Sequence, residues 1–90
     1  MADDDPRIAE LREELTENDV RIVEAVNARL ELVARLKRHK ESQGLEFVDP
    51  KQEEAVLRDL SRANRGPLSP DGLRALYREI IELTKREVSE

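Results

Sequence analysis

Apolar residues recur every three or four positions through the first forty residues of the chain. This spacing puts an apolar side chain on the same helix face at each turn, and it continues for about five heptads. No Gly or Pro interrupts it between Arg7 and Ser42. The pattern therefore predicts one long helix from Pro6 to Ser42. Its apolar positions are Ile8, Leu11, Leu15, Ile22, Ala25, Val26, Leu32, Val33 and Leu36.

Two shorter helices are predicted in the second half of the chain, and each begins with a capping signal. Asp49 and Ser69 are residue types that cap helix N-termini, and Pro follows each at the first helical position. Gln52, three residues after Asp49, completes a capping-box arrangement. We expect the second helix to end at Gly66 and the third to reach Val88. Their apolar faces comprise Val56, Leu57, Leu60 and Ala63 in the second, and Leu73, Leu76, Tyr77, Ile80, Ile81, Thr84 and Val88 in the third.

The length of the first helix predicts a second copy of the chain. About 35 residues rise roughly 50 Å along a helix. A compact globule of 90 residues is only roughly 30 Å across. The helix must therefore extend beyond its own chain, which would leave part of its apolar face in water. We expect an all-α fold with three helices per chain, in which the long first helices of two chains lie side by side in a two-fold homodimer.

The composition excludes several classes of protein. Acidic residues outnumber basic residues by 21 to 16, a net charge of −5, so nucleic-acid binding through bulk charge is not expected. Without cysteine and with one histidine, His39, we expect no disulfide, no metal and no cofactor. The acidic start is unlike a signal peptide, and no apolar run approaches the ~20 residues of a membrane span. We expect one cytoplasmic domain over residues 1–90 that does not enter a membrane, with residues 1–5 as a disordered tail.

Three cations interrupt or border the apolar face of the first helix. Arg29 lies within the apolar stripe, whereas Arg12 and Lys40 lie at its edge. Two interpretations fit Arg29: it pairs with a glutamate or extends to solvent, or it belongs to an anion site. Arg12 and Arg29 are about 25 Å apart on one helix, so they reach the same small molecule only across an antiparallel dimer. A pocket of Arg29, Lys40 and the other chain's Arg12 would suit a small dianion. Asp49 and Glu53 could accept a hydrogen bond from its hydroxyl group.

A set of short segments occurs in a fixed order along the chain: Leu11–Leu15, Asn27–Arg29, Lys40, Val48–Glu54, Gly66–Ser69 and Leu76–Ile81. Through these segments the sequence resembles a known family, the monofunctional AroQ-class chorismate mutases. The resemblance implies an all-helical, intertwined homodimer with two equivalent active sites. It also implies an isomerase that rearranges chorismate to prephenate in the shikimate pathway, on the branch to phenylalanine and tyrosine, without a cofactor. It extends from about Ile8 to Val88.

The resemblance also implies a role for each candidate site residue. Arg29 and the other subunit's Arg12 would clamp the two carboxylates with their planar guanidinium forks. Lys40 would donate to the ether oxygen, on which negative charge develops as the C–O bond breaks. Glu53 and Asp49 would receive the ring hydroxyl. Lys40, Arg29 and Glu53 are thus the implied catalytic residues.

Three substrate-binding positions depart from the family pattern. Gln52 stands where the family commonly has another carboxylate-binding arginine, so one charge-assisted contact becomes neutral. Thr84 replaces a common serine and keeps the hydroxyl that would contact a carboxylate. Val88 stands where a Gln or Glu usually donates to the ether oxygen, and the valine side chain has no donor. The change at Gln52 predicts weaker ground-state binding.

The missing donor leaves several alternatives open. Lys40 acts alone on the ether oxygen, Lys85 or Glu87 replaces the donor, or the activity is low. The altered positions also fit a related mutase or lyase that acts on aminodeoxychorismate or isochorismate. A non-catalytic helical dimer that partners another pathway enzyme is an alternative of a different class. Because the chain has no room for a regulatory domain, feedback control would come from a regulatory partner enzyme.

Overall fold

The computed structural model describes residues 5–89 and has three α-helices in that range. Helix α1 spans Pro6–Ser42, α2 spans Pro50–Ala63 and α3 spans Pro70–Glu87. The predicted all-α class with a long first helix is confirmed. Residues 1–4, most of the predicted tail, lie outside the described residues. The assignment of residues 1–90 to a single domain stays a prediction.

A side chain caps the start of each helix. The Oδ1 atom of Asp49 accepts a hydrogen bond from the backbone N of Gln52 at 3.3 Å, and Ser69 Oγ accepts one from Gly72 N at 3.0 Å. Both predicted caps are confirmed. Asp5, which the sequence analysis placed in the tail, does the same for α1, because its Oδ1 accepts from Arg7 N at 2.8 Å. An aspartate or serine followed by proline therefore begins all three helices.

The second helix ends earlier than its sequence predicts. It stops at Ala63, and Asn64 is its C-cap. The Asn64 side chain donates to the Leu68 carbonyl oxygen at 2.9 Å and accepts from Gly66 N at 3.0 Å. An asparagine side chain bonded to nearby backbone competes with helical hydrogen bonding, so the helix gives way to a turn before Gly66. Gly66 has φ +73°, a conformation for which glycine is suited.

By its contacts the chain divides into two compact units, Met1–Leu32 and Val33–Glu90. The described part of the first unit consists of Asp5 and α1 up to Leu32. None of the residues of α1 is buried. Large apolar side chains are exposed here, including Leu15 at 61% and Val23 at 59%. Most of the large apolar side chains in the described part of this unit are thus exposed.

The second unit contains the end of α1 and the two shorter helices. Helix α2 packs against α3, and the buried residues of α3 are Leu73, Ile81 and Thr84. Helix α1 ends in a turn in which Leu45 N donates to the Lys40 carbonyl oxygen at 2.8 Å and Gly44 adopts φ +70°. A left-handed glycine after the last helical turn is the usual way to satisfy terminal carbonyls. In the described chain, no helix is both long and apolar enough to cross a membrane.

Candidate functional site

The candidate site residues are distributed over both units. Arg12 and Arg29 lie on α1 in the first unit, where Arg12 is exposed and Arg29 is half-buried. The second unit contains the other six candidates: Lys40, Asp49, Gln52, Glu53, Thr84 and Val88. The described residues include no group of three or more His, Cys, Asp or Glu side chains that could hold a metal ion.

Lys40 is attached to the loop that leads into α2. It lies in the last turn of α1 and is half-buried. Its Nζ atom donates to the Phe47 carbonyl oxygen at 3.2 Å. The ammonium group is therefore held close to the segment that begins α2 and contains Asp49.

Asp49 and Gln52 interact through the cap of α2. The Asp49 carboxylate accepts from the backbone N of Gln52, so the structural role expected for an N-cap is present. Both residues are exposed. The capping bond fixes the backbone at the start of α2. It uses the backbone N–H of Gln52 and does not involve the side-chain amide of that residue.

Glu53 forms an ion pair that joins α2 to α3. Its Oε1 lies 3.2 Å from Lys85 Nζ, and the two side chains are 30% and 31% exposed. Lys85 also lies 3.4 Å from Glu82 Oε1 on its own helix. The hydrogen bond to Glu53 raises the pKa of the Lys85 ammonium above its ordinary value of 10.5, and partial burial opposes that rise. The structure thus brings Lys85, one of the proposed replacements for the missing donor, to the acid expected to bind the ring hydroxyl.

The other two candidates near the end of α3 have their backbone or hydroxyl groups engaged. Thr84 is 5% exposed, and its hydroxyl donates to the Ile80 carbonyl oxygen at 2.7 Å. Since a hydroxyl has one proton to donate, a contact to a substrate carboxylate would require it to leave Ile80. Val88 is the C-cap of α3, and its carbonyl oxygen accepts from Lys37 Nζ at 2.7 Å.

Lys37 is a residue that the sequence analysis did not select. Its side chain is 15% exposed, and its Nζ atom lies 5.8 Å from the centre of the Phe47 ring. The same Nζ donates the hydrogen bond to the Val88 carbonyl oxygen. Phe47 therefore contacts Lys37 through its ring and Lys40 through its carbonyl. The sequence feature that could have identified Lys37 is its position three residues before Lys40, which places both lysines on one helix face.

Two cavities lie between α2 and α3. One of about 440 Å³ is lined by Glu53 together with Arg78, Ile81 and Glu82, among others. The other, of about 480 Å³, is lined by residues that include Arg58, Arg62 and Arg74, and by none of the candidate site residues. Both volumes fall within the range of small-molecule pockets, roughly 300–1,000 Å³.

These contacts define the chemistry available in the second unit. The half-buried lysines Lys40 and Lys85 lie at the end of α1 and on α3, while Glu53 lies on α2 and Asp49 caps its N-terminus. Such a set can bind an anion and accept a hydrogen bond from a hydroxyl. It offers no cysteine or serine nucleophile paired with a histidine base, because the chain has no cysteine and one histidine, His39, which is exposed on α1.

Comparisons with known proteins identify relatives of the whole fold. The sequence profile of the family described as chorismate mutase type II matches residues 11–88. The structure of chorismate mutase (form II) from Thermus thermophilus superposes with a TM-score of 0.89 at 31% sequence identity, covering 93% of this chain and 96% of that one. The form I structure of chorismate mutase from the same organism gives a TM-score of 0.84 at 33% identity, covering 87% and 98%. No curated protein sequence matches the chain.

Proposed function

Because this chain belongs to the chorismate mutase type II family and is therefore an isomerase, we propose that it converts chorismate to prephenate at a site assembled from two copies of the chain. The family match over residues 11–88 carries the activity. The family implies chorismate as the substrate and aromatic amino acid biosynthesis as the pathway. The cytoplasmic location and the regulatory partner enzyme expected from the sequence stay predictions.

The exposed apolar face of α1 supports the proposed dimer. Leu11, Leu15, Ile22, Leu32 and Leu36, which share the predicted stripe, are between 43% and 61% exposed. An apolar stripe of this length in water marks an interaction surface. A second copy of α1 carries the same stripe, and a two-fold axis makes one surface complementary to itself. We therefore propose an intertwined homodimer in which α1 of each chain is covered by its partner.

The proposed reaction needs positioning and charge more than reactive groups. One C–O bond of chorismate breaks while a C–C bond forms within the same molecule, so no atom enters or leaves. The enzyme must hold the compact conformer in which the reacting carbons are close. It must also stabilise the negative charge that develops on the ether oxygen.

Each cation has a place in this proposal. Arg29 and the partner chain's Arg12 clamp the two carboxylates. Lys40, held by the Phe47 carbonyl oxygen, lies beside the ether oxygen and interacts more strongly as the C–O bond breaks. Loss of such a donor typically lowers the rate by about 10²–10³-fold.

The remaining site residues recognise the rest of the substrate. Glu53 and Asp49 accept a hydrogen bond from the ring hydroxyl. Gln52 offers a neutral amide to a carboxylate and Thr84 a hydroxyl, while Val88 contributes apolar surface. The neutral Gln52 weakens ground-state binding relative to an arginine at the same position.

The activity is tested by incubating the purified protein with chorismate and following the loss of its ultraviolet absorbance. We expect loss well above the spontaneous rate, and prephenate as the product. Isochorismate and 4-amino-4-deoxychorismate, assayed in parallel, separate this activity from a related mutase or lyase. No turnover of chorismate at high enzyme concentration, or faster turnover of either analogue, would refute the proposal.

Replacement of Arg29 tests whether this cation belongs to the site. We expect Arg29→Ala to abolish binding of a bicyclic dicarboxylate that mimics the transition state, because the bidentate contact to a carboxylate is lost. Calorimetric titration measures this binding. Arg21→Ala, which removes an exposed arginine from the same helix, is the matched control and should bind normally. If Arg29→Ala changes thermal stability but still binds the dicarboxylate, Arg29 has a structural role only.

A further inference from the structure

The region at the end of α3 contains three residues that differ in the hydrogen-bond donors they can offer to a substrate: Thr84, Lys85 and Val88. Thr84 gives its hydroxyl proton to the Ile80 carbonyl oxygen. Val88 has an apolar side chain, and its backbone N–H donates to the Thr84 carbonyl oxygen at 3.0 Å. Lys85 has an ammonium group with three protons to donate. It is therefore the residue of these three that brings both charge and donor capacity to this end of α3.

The Lys85 ammonium lies between two acids. It is 3.2 Å from Glu53 on α2 and 3.4 Å from Glu82 on α3. Both acids line the cavity of about 440 Å³ between these helices. Lys85 thus fixes the Glu53 side chain from the neighbouring helix, and it does so at a site that is about two-thirds shielded from solvent, since the two side chains are 31% and 30% exposed.

A carboxylate beside a dianionic substrate creates an electrostatic problem. In the proposed site the Glu53 carboxylate accepts a hydrogen bond from the substrate hydroxyl, yet its negative charge repels both carboxylates of the same molecule. The repulsion between like charges a few ångströms apart is significant in a partly shielded site. A cation in contact with Glu53 removes most of this repulsion and keeps the oxygen available as an acceptor.

We propose that Lys85 is a positioning residue that holds the Glu53 carboxylate for the substrate hydroxyl and offsets its charge, so that a dicarboxylate can bind beside it. The inference rests on the proposed function. Lys85 acts through Glu53 in this account, and it makes no contact with the breaking bond. Its contribution is therefore the same in the ground state and the transition state, and it affects KM more than kcat.

The first test is the steady-state kinetics of Lys85→Met on chorismate. We expect KM to rise about ten-fold, a typical effect within one salt-bridge network, with kcat changed less than about two-fold. Lys85→Arg should restore most of the loss because it keeps the charge next to Glu53. Arg86→Met removes the neighbouring exposed cation and should behave as the wild type. If Lys85→Met does not fold, as judged by circular dichroism, Lys85→Gln takes its place.

A double-mutant cycle with Glu53→Gln separates action through Glu53 from direct action on the substrate. If Lys85 acts through Glu53, Lys85→Met should change KM less than about two-fold in the Glu53→Gln background. A direct attraction between Lys85 and the substrate predicts the full ten-fold effect in both backgrounds, and that result would overturn the inference. An unchanged KM in the single variant would also overturn the inference. So would a fall in kcat as large as the rise in KM, accompanied by a lower melting temperature.

Failure of the inference is distinguishable from failure of the proposed function. If the wild-type chain leaves chorismate unchanged, the proposed function fails in the same series of assays. The cycle is then measured by calorimetric binding of the bicyclic dicarboxylate to the same four proteins. A ten-fold weaker Kd for Lys85→Met that vanishes in the Glu53→Gln background supports the role of Lys85, and any other pattern, including no binding to the wild type, rejects it.

Discussion

Three lysines in the second unit show how one residue type takes different roles according to its acceptor. Lys37 and Lys40 donate to backbone carbonyl oxygens, those of Val88 and Phe47. Lys85 donates to the carboxylates of Glu53 and Glu82. A carbonyl acceptor fixes the position of an ammonium group without neutralising its charge, although Lys37 also has the Glu41 carboxylate 3.8 Å from its Nζ atom. A carboxylate acceptor offsets that charge, which agrees with the proposed roles of Lys40 at the ether oxygen and of Lys85 in the support of Glu53.

The stability contributed by Lys85 should depend on pH. Because Glu53 raises the pKa of the folded-state ammonium above 10.5, the contribution is complete below the unfolded value and is lost as the pH rises through the folded value. We expect a difference in unfolding free energy of about 0.5 kcal/mol between the wild type and Lys85→Met at pH 7 and pH 9. The difference should shrink steadily as the pH is raised beyond 10.5.

Urea denaturation at each pH measures this difference. The control is Arg86→Met, whose difference from the wild type should stay constant because arginine keeps its charge over this range. A difference for Lys85→Met that is constant or grows with pH would show that the pair with Glu53 does not stabilise the folded chain.

The sequence predicted local roles of residues better than long-range pairs. Asp49 could be identified as an N-cap because the cap, the proline and Gln52 are close together in the sequence. The contact of Lys85 with Glu53 joins residues that are 32 positions apart, and it depends on how α2 and α3 are aligned. Periodicity identifies the face of each helix but not this alignment. The predicted roles of Arg12 and Arg29 toward a substrate remain predictions, because they depend on how two chains pair.

At the scale of elements, the helix starts were predictable and one helix end was not. The starts depend on one side chain and the proline that follows it. The end of α2 depends on Asn64, whose side chain bonds to the backbone of the turn up to Leu68. Such a bond forms only when the turn is already closed, so the sequence alone does not reveal it. The sequence therefore predicts the end of the helix at Gly66 instead.

The ends of α1 and α3 are joined by one side chain, Lys37. Its hydrogen bond of 2.7 Å satisfies the carbonyl oxygen of Val88 at the C-terminus of α3, where a cation is also favoured by the helix dipole. We expect Lys37→Met to lower the unfolding free energy by about 2 kcal/mol, since it removes a charged donor and leaves that carbonyl without it. Urea denaturation at fixed chain concentration measures the change.

Arg35→Met is the matched control for Lys37→Met. Arg35 is exposed on the same helix, and its replacement should change the unfolding free energy by less than about 0.5 kcal/mol. Equal effects of the two substitutions would mean that the contact with Val88 contributes nothing specific to the fold.

At the scale of the whole molecule, a single chain is short of buried apolar surface. Leu73 and Ile81 are the apolar residues of the described chain that are buried, while most of the large side chains of α1 face solvent. The proposed homodimer would supply cover for this exposed apolar surface from a second copy of the chain. The length and pattern of α1 predict such a dimer from the sequence, because both are properties of one continuous segment, and the dimer itself stays a prediction.

A site shared between two subunits makes a specific prediction for mixed dimers. Arg12→Ala and Lys40→Met should each be nearly inactive as homodimers, because every site then lacks one cation. In a mixed dimer, one site contains both substitutions and the other contains neither. Random association makes half of the dimers mixed, so a refolded equimolar mixture should recover about a quarter of the wild-type activity. Chorismate consumption by the mixture, compared with each variant alone, measures this recovery. Arg12 and Lys40 of the same chain serving one site would give no recovery at any mixing ratio, since each chain would then carry its own defect into its own site.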